Sequence, residues 1–140
     1  MSASPESATS VDGGVRYSTV VTQVGALVPE LGAKGMLIFF GDQAPEELHE
    51  ISVLHRPVVE VGGLIVGDVL VLDDQQYPIL AVGDVANANL VNLGHIDFKF
   101  NGETTAPLPG DVCLPVAVPP VLVPGSIFRV IAPTDNAREN

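Results

Sequence analysis

Short runs of branched apolar residues, separated every few positions by glycine or proline, are the feature that most constrains this chain. Its 140 residues include 14 glycines and 12 prolines. Both residue types interrupt helices, whereas valine and isoleucine fit the pleated surface of a sheet. The sequence therefore predicts a mainly β fold, a compact β-barrel built from short strands and tight turns.

The predicted strands share an apolar run bounded by Gly, Pro or Asp. They are 17–24, 36–40, 51–55, 69–72, 77–82, 95–100, 111–116 and 126–131. The two polar ends, 1–14 and 134–140, lack periodicity, so both are predicted to be disordered tails around a single domain at 15–133.

Two short helices are expected between the strands. The first covers 44–50, because Pro45 suits the first helical turn and the acids after it suit the positive end of the helix dipole. The second covers 85–93, with Asp84 as its N-cap and Gly94 as the left-handed residue that ends it.

A glycine followed by a small polar residue recurs at Gly67-Asp68, Gly83-Asp84, Gly110-Asp111 and Gly125-Ser126. Such a step suits a turn that begins a strand. The steps at 67 and 110 resemble the glycine-aspartate turn of swapped-hairpin and cradle-loop barrels. An internal duplication is one explanation, and coincidence in a glycine-rich chain is the other.

Charge and cysteine content restrict the partners and the compartment. Seventeen acidic and six basic side chains give a net charge of −11. This charge repels nucleic acid and anionic lipid and favours a basic partner, although it serves solubility equally well. The single cysteine, the lack of a signal-peptide pattern at the start and the lack of a spanning apolar run predict a cytoplasmic protein without membrane insertion.

Several kinds of chemistry find no support in the sequence. The chain has no phosphate-binding loop ending in Lys-Ser/Thr, no Gly-x-Gly-x-x-Gly and no His/Cys cluster, so neither a cofactor nor a metal is predicted. Asp73-Asp74 fits a solvated hairpin turn better than an acid/base pair. Cys113 lies in an apolar strand between prolines and is expected to be an inert buried thiol, with a thiol-based function as the weaker alternative.

Three histidines remain, and imidazole can act as a nucleophile at neutral pH. His49 lies in the acidic first helix and is expected to face solvent. His95 begins an alternating strand on its polar face, where either a structural or an assisting role is open.

His55 shares a strand face with Ile51 and Val53 and precedes Pro57, which predicts a half-buried ring with one open edge at the end of a strand. Burial favours the neutral, nucleophilic imidazole, and Arg56 can offset the charge of an incoming phosphate. A satisfied core histidine is the alternative that these residues leave open.

The stretch Gln43-Ala-Pro-Glu-Glu-Leu-His-Glu-Ile-Ser-Val-Leu-His55 resembles a segment of the glucitol/sorbitol-specific IIA components of the sugar phosphotransferase system (PTS). Residues 77–83, 89–95, 108–110 and 124–126 are similar to other recurrent stretches of that family, so the likeness spans 17–131. His55 falls on the family's phosphorylated histidine. Pro57 stands where some members carry a further histidine, which leaves the transported polyol open.

The resemblance implies a phosphoryl carrier that takes phosphate from the histidine of HPr and passes it to a cysteine of the IIB domain, coupled to sugar uptake through IIC. His55 would be the phosphohistidine, with Arg56, His95 and backbone N–H groups as candidate phosphate contacts. The alternative is a non-enzymatic β-barrel binding or regulatory module that shares only the fold.

Overall fold

The computed structural model describes residues 14–133, which form one curled sheet of nine strands with three short helices. The strands are β1 Val15–Val24, β2 Met36–Gly41, β3 Val53–Glu60, β4 Val69–Leu72, β5 Gln75–Pro78, β6 Ala81–Val82, β7 Ile96–Lys99, β8 Asp111–Cys113 and β9 Ile127–Ile131. Their order across the sheet is β5-β4-β9-β1-β3-β2-β7-β8-β6. The β2–β3 and β7–β8 pairs are parallel, and the other pairs are antiparallel.

The two edge strands, β5 and β6, follow each other directly along the chain, and this closes the sheet into a barrel-like shape. The Ile79 N–H donates to the Asp68 carbonyl at 2.8 Å, and the Leu80 N–H donates to the Cys113 carbonyl at 2.9 Å. The connecting residues therefore bond to both ends of the sheet. The mainly β fold with a barrel-like sheet is confirmed.

Aromatic rings from four strands meet inside the curl of the sheet. Phe128 of β9 lies 4.9 Å from Phe39, 5.4 Å from Phe98 and 5.5 Å from Tyr17, measured between ring centroids. All four side chains are almost fully buried. Because such rings bury large apolar areas, this cluster is the centre of the core, and it also forms the surroundings of one histidine.

The helices agree with the prediction in two places and differ in a third. A 3₁₀ helix covers Glu46–Ile51, and α2 covers Ala86–Leu93. Gly94 ends α2 in the left-handed conformation with φ 64°, as predicted, but the N-cap is Val85 without a side-chain hydrogen bond, so the prediction of Asp84 as N-cap is wrong.

The third helix, α1 Val28–Ala33, was not predicted, and the expectation of only two helices is wrong. Its six residues include Pro29 at the start and Gly32 inside, and both residues suggest a turn. Packing stabilises this helix although its residues have low helix propensity, because Val28 and Gly32 are buried.

Two of the four recurring glycine turns share one geometry. Gly67 and Gly125 both have φ 97°. In the first turn the Asp68 N–H donates to the Ile65 carbonyl at 3.1 Å, and in the second the Ser126 N–H donates to the Val123 carbonyl at 2.9 Å. A type II turn needs positive φ at its third residue, which favours glycine. Gly110, by contrast, has no positive φ. The matching turns are therefore 67 and 125 rather than 67 and 110, and internal duplication stays a prediction.

The predicted tails at 1–14 and 134–140 lie outside the described residues, apart from Gly14. The Gly14 carbonyl accepts a hydrogen bond from the Ala132 N–H at 2.8 Å, which joins the two ends of the described chain. The domain limits of 15–133 stay a prediction.

Candidate functional site

His55 lies inside β3 and is fully buried, with 0% of its surface exposed. Its ring centroid is 5.6 Å from that of Phe39, 5.9 Å from Phe128 and 6.4 Å from Tyr17. The predicted half-buried ring with an open edge is therefore wrong. Pro57 does not end the strand, since β3 continues to Glu60 and Pro57 pairs with Thr19 of β1.

Both ring nitrogens of His55 have hydrogen-bond partners from other elements. Nδ1 lies 2.7 Å from the Thr19 hydroxyl, and Nε2 lies 2.6 Å from the Gly94 carbonyl. A carbonyl oxygen can only accept, so Nε2 carries a proton in this arrangement. In the neutral ring the Thr19 hydroxyl then donates to Nδ1.

The surroundings of His55 favour its neutral form. Burial lowers the pKa of His55, because an imidazolium would lose its hydration among aromatic rings. The Gly94 carbonyl and, more weakly, the Asp42 carboxylate act in the opposite direction. The balance is a lowered pKa, and therefore a neutral imidazole at physiological pH.

Two bulges in the β1–β3 pairing bring Thr19 to the ring. The register shifts between Ser18 and Thr19 and again between Val21 and Gln23, so that Val21 lies opposite His55. Bulges redirect side chains next to functional sites in many sheets. Thr19 itself is fully buried, and its hydroxyl reaches His55 across 36 residues of sequence.

Only glycine fits at position 94. A Cβ added to Gly94 would lie 2.6 Å from the Gly41 nitrogen and 3.2 Å from Nε2 of His55. The positive φ of 64° adds backbone strain for any other residue. The glycine that ends α2 therefore also allows the close approach of β2, β3 and the α2–β7 connection around His55.

A pocket of about 510 Å³ opens beside His55 on the Gly94 side of its ring. Its lining is mostly apolar: Phe40, Gly41, Asp42, Gln43, Ala44, Pro45, Leu48, His55, Pro57, Glu60, Leu90, Val91, Asn92, Leu93 and Gly94. The 3₁₀ helix forms one wall and the end of α2 forms another. The charged residues in this lining are both carboxylates, Asp42 and Glu60.

Arg56 points away from the ring of its neighbour, because successive residues of a strand face opposite sides. Its side chain is 72% exposed and pairs with Asp42, with Nη2 and the carboxylate oxygen 2.8 Å apart. Asp42 lines the pocket, whereas Arg56 does not, and the charge of Arg56 is already paired with Asp42.

His95 lies next to the site but in different surroundings. Its ring stacks on Phe40 with centroids 4.0 Å apart, Nδ1 donates to the Phe39 carbonyl at 3.1 Å, and Nε2 lies 3.8 Å from Asp97. Burial raises the pKa of Asp97, and the nearby His95 opposes this rise. His95 follows Gly94 directly, so the carbonyl that contacts Nε2 of His55 belongs to the peptide bond between Gly94 and His95.

His49 and Cys113 lie away from this arrangement. Nε2 of His49, within the 3₁₀ helix, bonds the Ala44 carbonyl at 2.9 Å, and its side chain is half-buried rather than fully solvent-facing as predicted. Cys113 is buried, and burial raises the pKa of its thiol. In residues 14–133 no group of three or more His, Cys, Asp or Glu side chains could hold a metal ion.

The sequence predicted the conformation of Gly94 correctly and pointed to His55, whose role stays a prediction, but Thr19 and the Gly94 carbonyl were missed as ring partners. A threonine between the inward-facing Tyr17 and Val21 of a strand is the signal that could have pointed to Thr19.

No helix among the described residues has the length and apolar character to cross a membrane.

These features define a class: a small mainly β domain that holds one neutral, buried histidine beside an apolar pocket. A family model described as "PTS system glucitol/sorbitol-specific IIA component" matches residues 16–129. The chain therefore belongs to the glucitol/sorbitol-specific IIA component family of the PTS, as its resemblance to that family implied.

Similar proteins agree with this assignment. The chain is 36% identical over 115 residues to the PTS system glucitol/sorbitol-specific EIIA components of Shigella flexneri and of Escherichia coli strain K12, covering 82% of this chain and 94% of each relative. Its fold is similar to the crystal structure of a PTS system IIA component from Enterococcus faecalis V583. That comparison has a TM-score of 0.66 and 26% identity, and covers 82% of this chain and 99% of the other.

Proposed function

We propose that this protein is a phosphoryl carrier that accepts phosphate from HPr on His55 and passes it to a cysteine of the IIB component during glucitol/sorbitol uptake. The observation that carries this proposal is His55 itself, a neutral imidazole beside an open pocket in a member of the IIA family. A neutral ring is the nucleophilic form that phosphoryl transfer requires.

The pocket suits a brief encounter between proteins better than a small substrate. Leu93 and Val91, at the end of α2, are 56% and 68% exposed and line the pocket. Exposed apolar groups around a reactive residue are typical of docking surfaces. A small, transient interface shared by the donor HPr and the acceptor IIB on its IIC permease fits this surface.

The charge of the pocket indicates that the partner supplies the cations. Its charged lining consists of Asp42 and Glu60, and the whole chain carries a net charge of −11. A donor with a basic face is attracted to this surface and brings positive charge to the transferring phosphoryl group. A cation of the partner that pairs with Asp42 would also release Arg56 to contact the phosphate.

The test is phosphorylation with phosphoenolpyruvate, enzyme I and HPr. The wild-type protein is expected to gain one acid-labile, base-stable phosphate, and His55→Ala is expected to gain none while keeping its circular dichroism spectrum. His49→Ala is the matched control, because that ring bonds the Ala44 carbonyl and does not line the pocket. A wild-type protein that takes no label from HPr would favour the non-enzymatic module instead.

A further inference from the structure

The two hydrogen-bond partners of His55 differ in what they can do. The Gly94 carbonyl at Nε2 can only accept, whereas the Thr19 hydroxyl at Nδ1 can either donate or accept. In the observed arrangement of the neutral ring, the proton is on Nε2 and the lone pair is on Nδ1. The lone pair is the part of the ring that attacks phosphorus.

The pocket, however, lies on the side of Nε2 and not on the side of Nδ1, which carries the lone pair. The pocket is lined by Gly94, which contacts Nε2, while Thr19 is fully buried in β1 and is not part of that lining. A phosphoryl donor that enters the pocket therefore approaches the ring from the side of Nε2, which the Gly94 carbonyl covers in this structure. The nitrogen with the lone pair faces the core, and the nitrogen that faces the pocket carries a proton.

We infer that Thr19 is a positioning residue that selects Nε2 of His55 as the phosphorylated nitrogen, by changing from hydrogen-bond donor to acceptor at Nδ1. This inference rests on the proposed function. The Gly94 carbonyl holds the resting ring in its non-nucleophilic form at Nε2, and it must move aside when Nε2 loses its proton. Thr19 keeps the ring in place through both states.

His55 takes up one proton from solvent on Nδ1 and releases one from Nε2 to solvent, so the ring stays neutral and Nδ1–H now donates to Thr19. The Nε2 lone pair then forms a bond to phosphorus, and the bond between phosphorus and the donor imidazole breaks. The donor ring, protonated on its other nitrogen before transfer, leaves as neutral imidazole, and His55 becomes a phosphoimidazolium whose Nδ1–H donates a hydrogen bond to the Thr19 oxygen.

Nitrogen-15 NMR of the wild-type protein with labelled histidine tests the inference without a variant. The resting protein above the pKa of His55 is expected to show the Nε2–H tautomer. The phosphorylated protein is expected to show phosphorus coupling to Nε2 and a proton on Nδ1. Phosphate on Nδ1 of His55 would overturn the inference while leaving the proposed function intact.

Variants at Thr19 provide the second test. Thr19→Val keeps the shape of the side chain but removes the acceptor for a buried, charged N–H, so the equilibrium constant for phosphorylation by HPr should fall by about 10- to 100-fold. Thr19→Ser should restore it to near the wild-type level. Thr22→Val is the matched control, since Thr22 is on the same strand and its hydroxyl bonds the Leu54 carbonyl rather than the ring.

The outcomes separate the two proposals. No label on the wild-type protein, or a label that His55→Ala retains, contradicts the proposed function. A label on His55 with Thr19→Val phosphorylated as fully as wild type contradicts only the role of Thr19. If Thr19→Val does not fold, Thr19→Ser and the wild-type spectra decide, because phosphate on Nε2 in both supports the inference and phosphate on Nδ1 in either contradicts it.

Discussion

The surroundings of His55 and His95 differ although both residues contact Gly94, His55 through a hydrogen bond and His95 as the next residue in the chain. Both nitrogens of His55 are held inside an aromatic core, by Thr19 and by the Gly94 carbonyl. His95 stacks on Phe40 with 20% of its side chain exposed, and its Nε2 faces a carboxylate, Asp97. Burial among aromatic rings lowers the pKa of His55 and outweighs the opposing effects of the Gly94 carbonyl and the Asp42 carboxylate. This difference supports the proposal that His55 is the nucleophile and that His95 has at most an assisting role.

The largest expected effect is the difference between His55→Gln and His95→Gln in phosphorylation by HPr. The first removes the nucleophile and should abolish phosphorylation. The second removes at most one group next to the transferring phosphate, so the rate should fall by no more than about 10²- to 10³-fold. Rapid-quench measurements of both variants test this. Complete loss in His95→Gln, with His55→Gln still labelled, would reverse the two roles.

Gly94→Ala tests the close packing that joins the two histidines. The new Cβ would lie 2.6 Å from the Gly41 backbone nitrogen, whereas Gly67→Ala also has a positive φ but nothing within 4 Å. Strain alone should cost Gly67→Ala about 1–2 kcal/mol, and overpacking should cost Gly94→Ala about 1–3 kcal/mol more. Urea unfolding measures the free energy of unfolding of both variants. Equal losses of stability would contradict the close packing around Gly94.

The stability of the fold should depend on pH through His55. The folded pKa lies below the unfolded value of about 6.5, so as pH falls through that value the unfolded chain binds a proton that the folded protein does not. Stability is therefore retained above about pH 6.5 and lost below it, at most about 1.4 kcal/mol per pH unit. Urea unfolding of wild type and His55→Gln from neutral to mildly acidic pH measures the difference, and parallel curves would contradict the neutral buried ring.

Arg56→Gln should give the smallest effect on the fold. The Arg56–Asp42 pair is exposed on the arginine side, so its loss should change the free energy of unfolding by less than about 1 kcal/mol. If Arg56 contacts the phosphoryl group, phosphorylation should still slow by about tenfold. Lys34→Gln, which removes another exposed cation, is the control. Equal phosphorylation rates in the two variants would remove Arg56 from the site.

The features that could be predicted are those that depend on residues close together in the sequence. Residues 43–55 pointed to His55 because the short helix and the strand that follows it are contiguous, and Gly94 was predicted as the end of α2 by its position after an apolar run. Thr19 could not be paired with His55, since their contact depends on a strand register with two bulges across 36 residues.

The full burial of His55 was missed for a related reason. Pro57 suggests the end of a strand, but here it lies within β3 opposite Thr19, and the sheet curls over the ring. The helix α1 was missed because Pro29 and Gly32 disfavour a helix locally, and only its packing against the sheet favours one. In each case a long-range contact overrides a local preference.

The central claim is that His55 alone among the three histidines carries the phosphate, and peptide mapping tests it directly. Trypsin leaves all three histidines in one fragment, 35–99, because Arg56 precedes a proline. A glutamate-specific protease instead separates His49, His55 and His95 into peptides 48–50, 51–60 and 61–103. Mass spectrometry of the phosphorylated wild-type protein at alkaline pH should place the phosphoryl group on peptide 51–60. Phosphate on peptide 61–103, with 51–60 unmodified, would contradict the account.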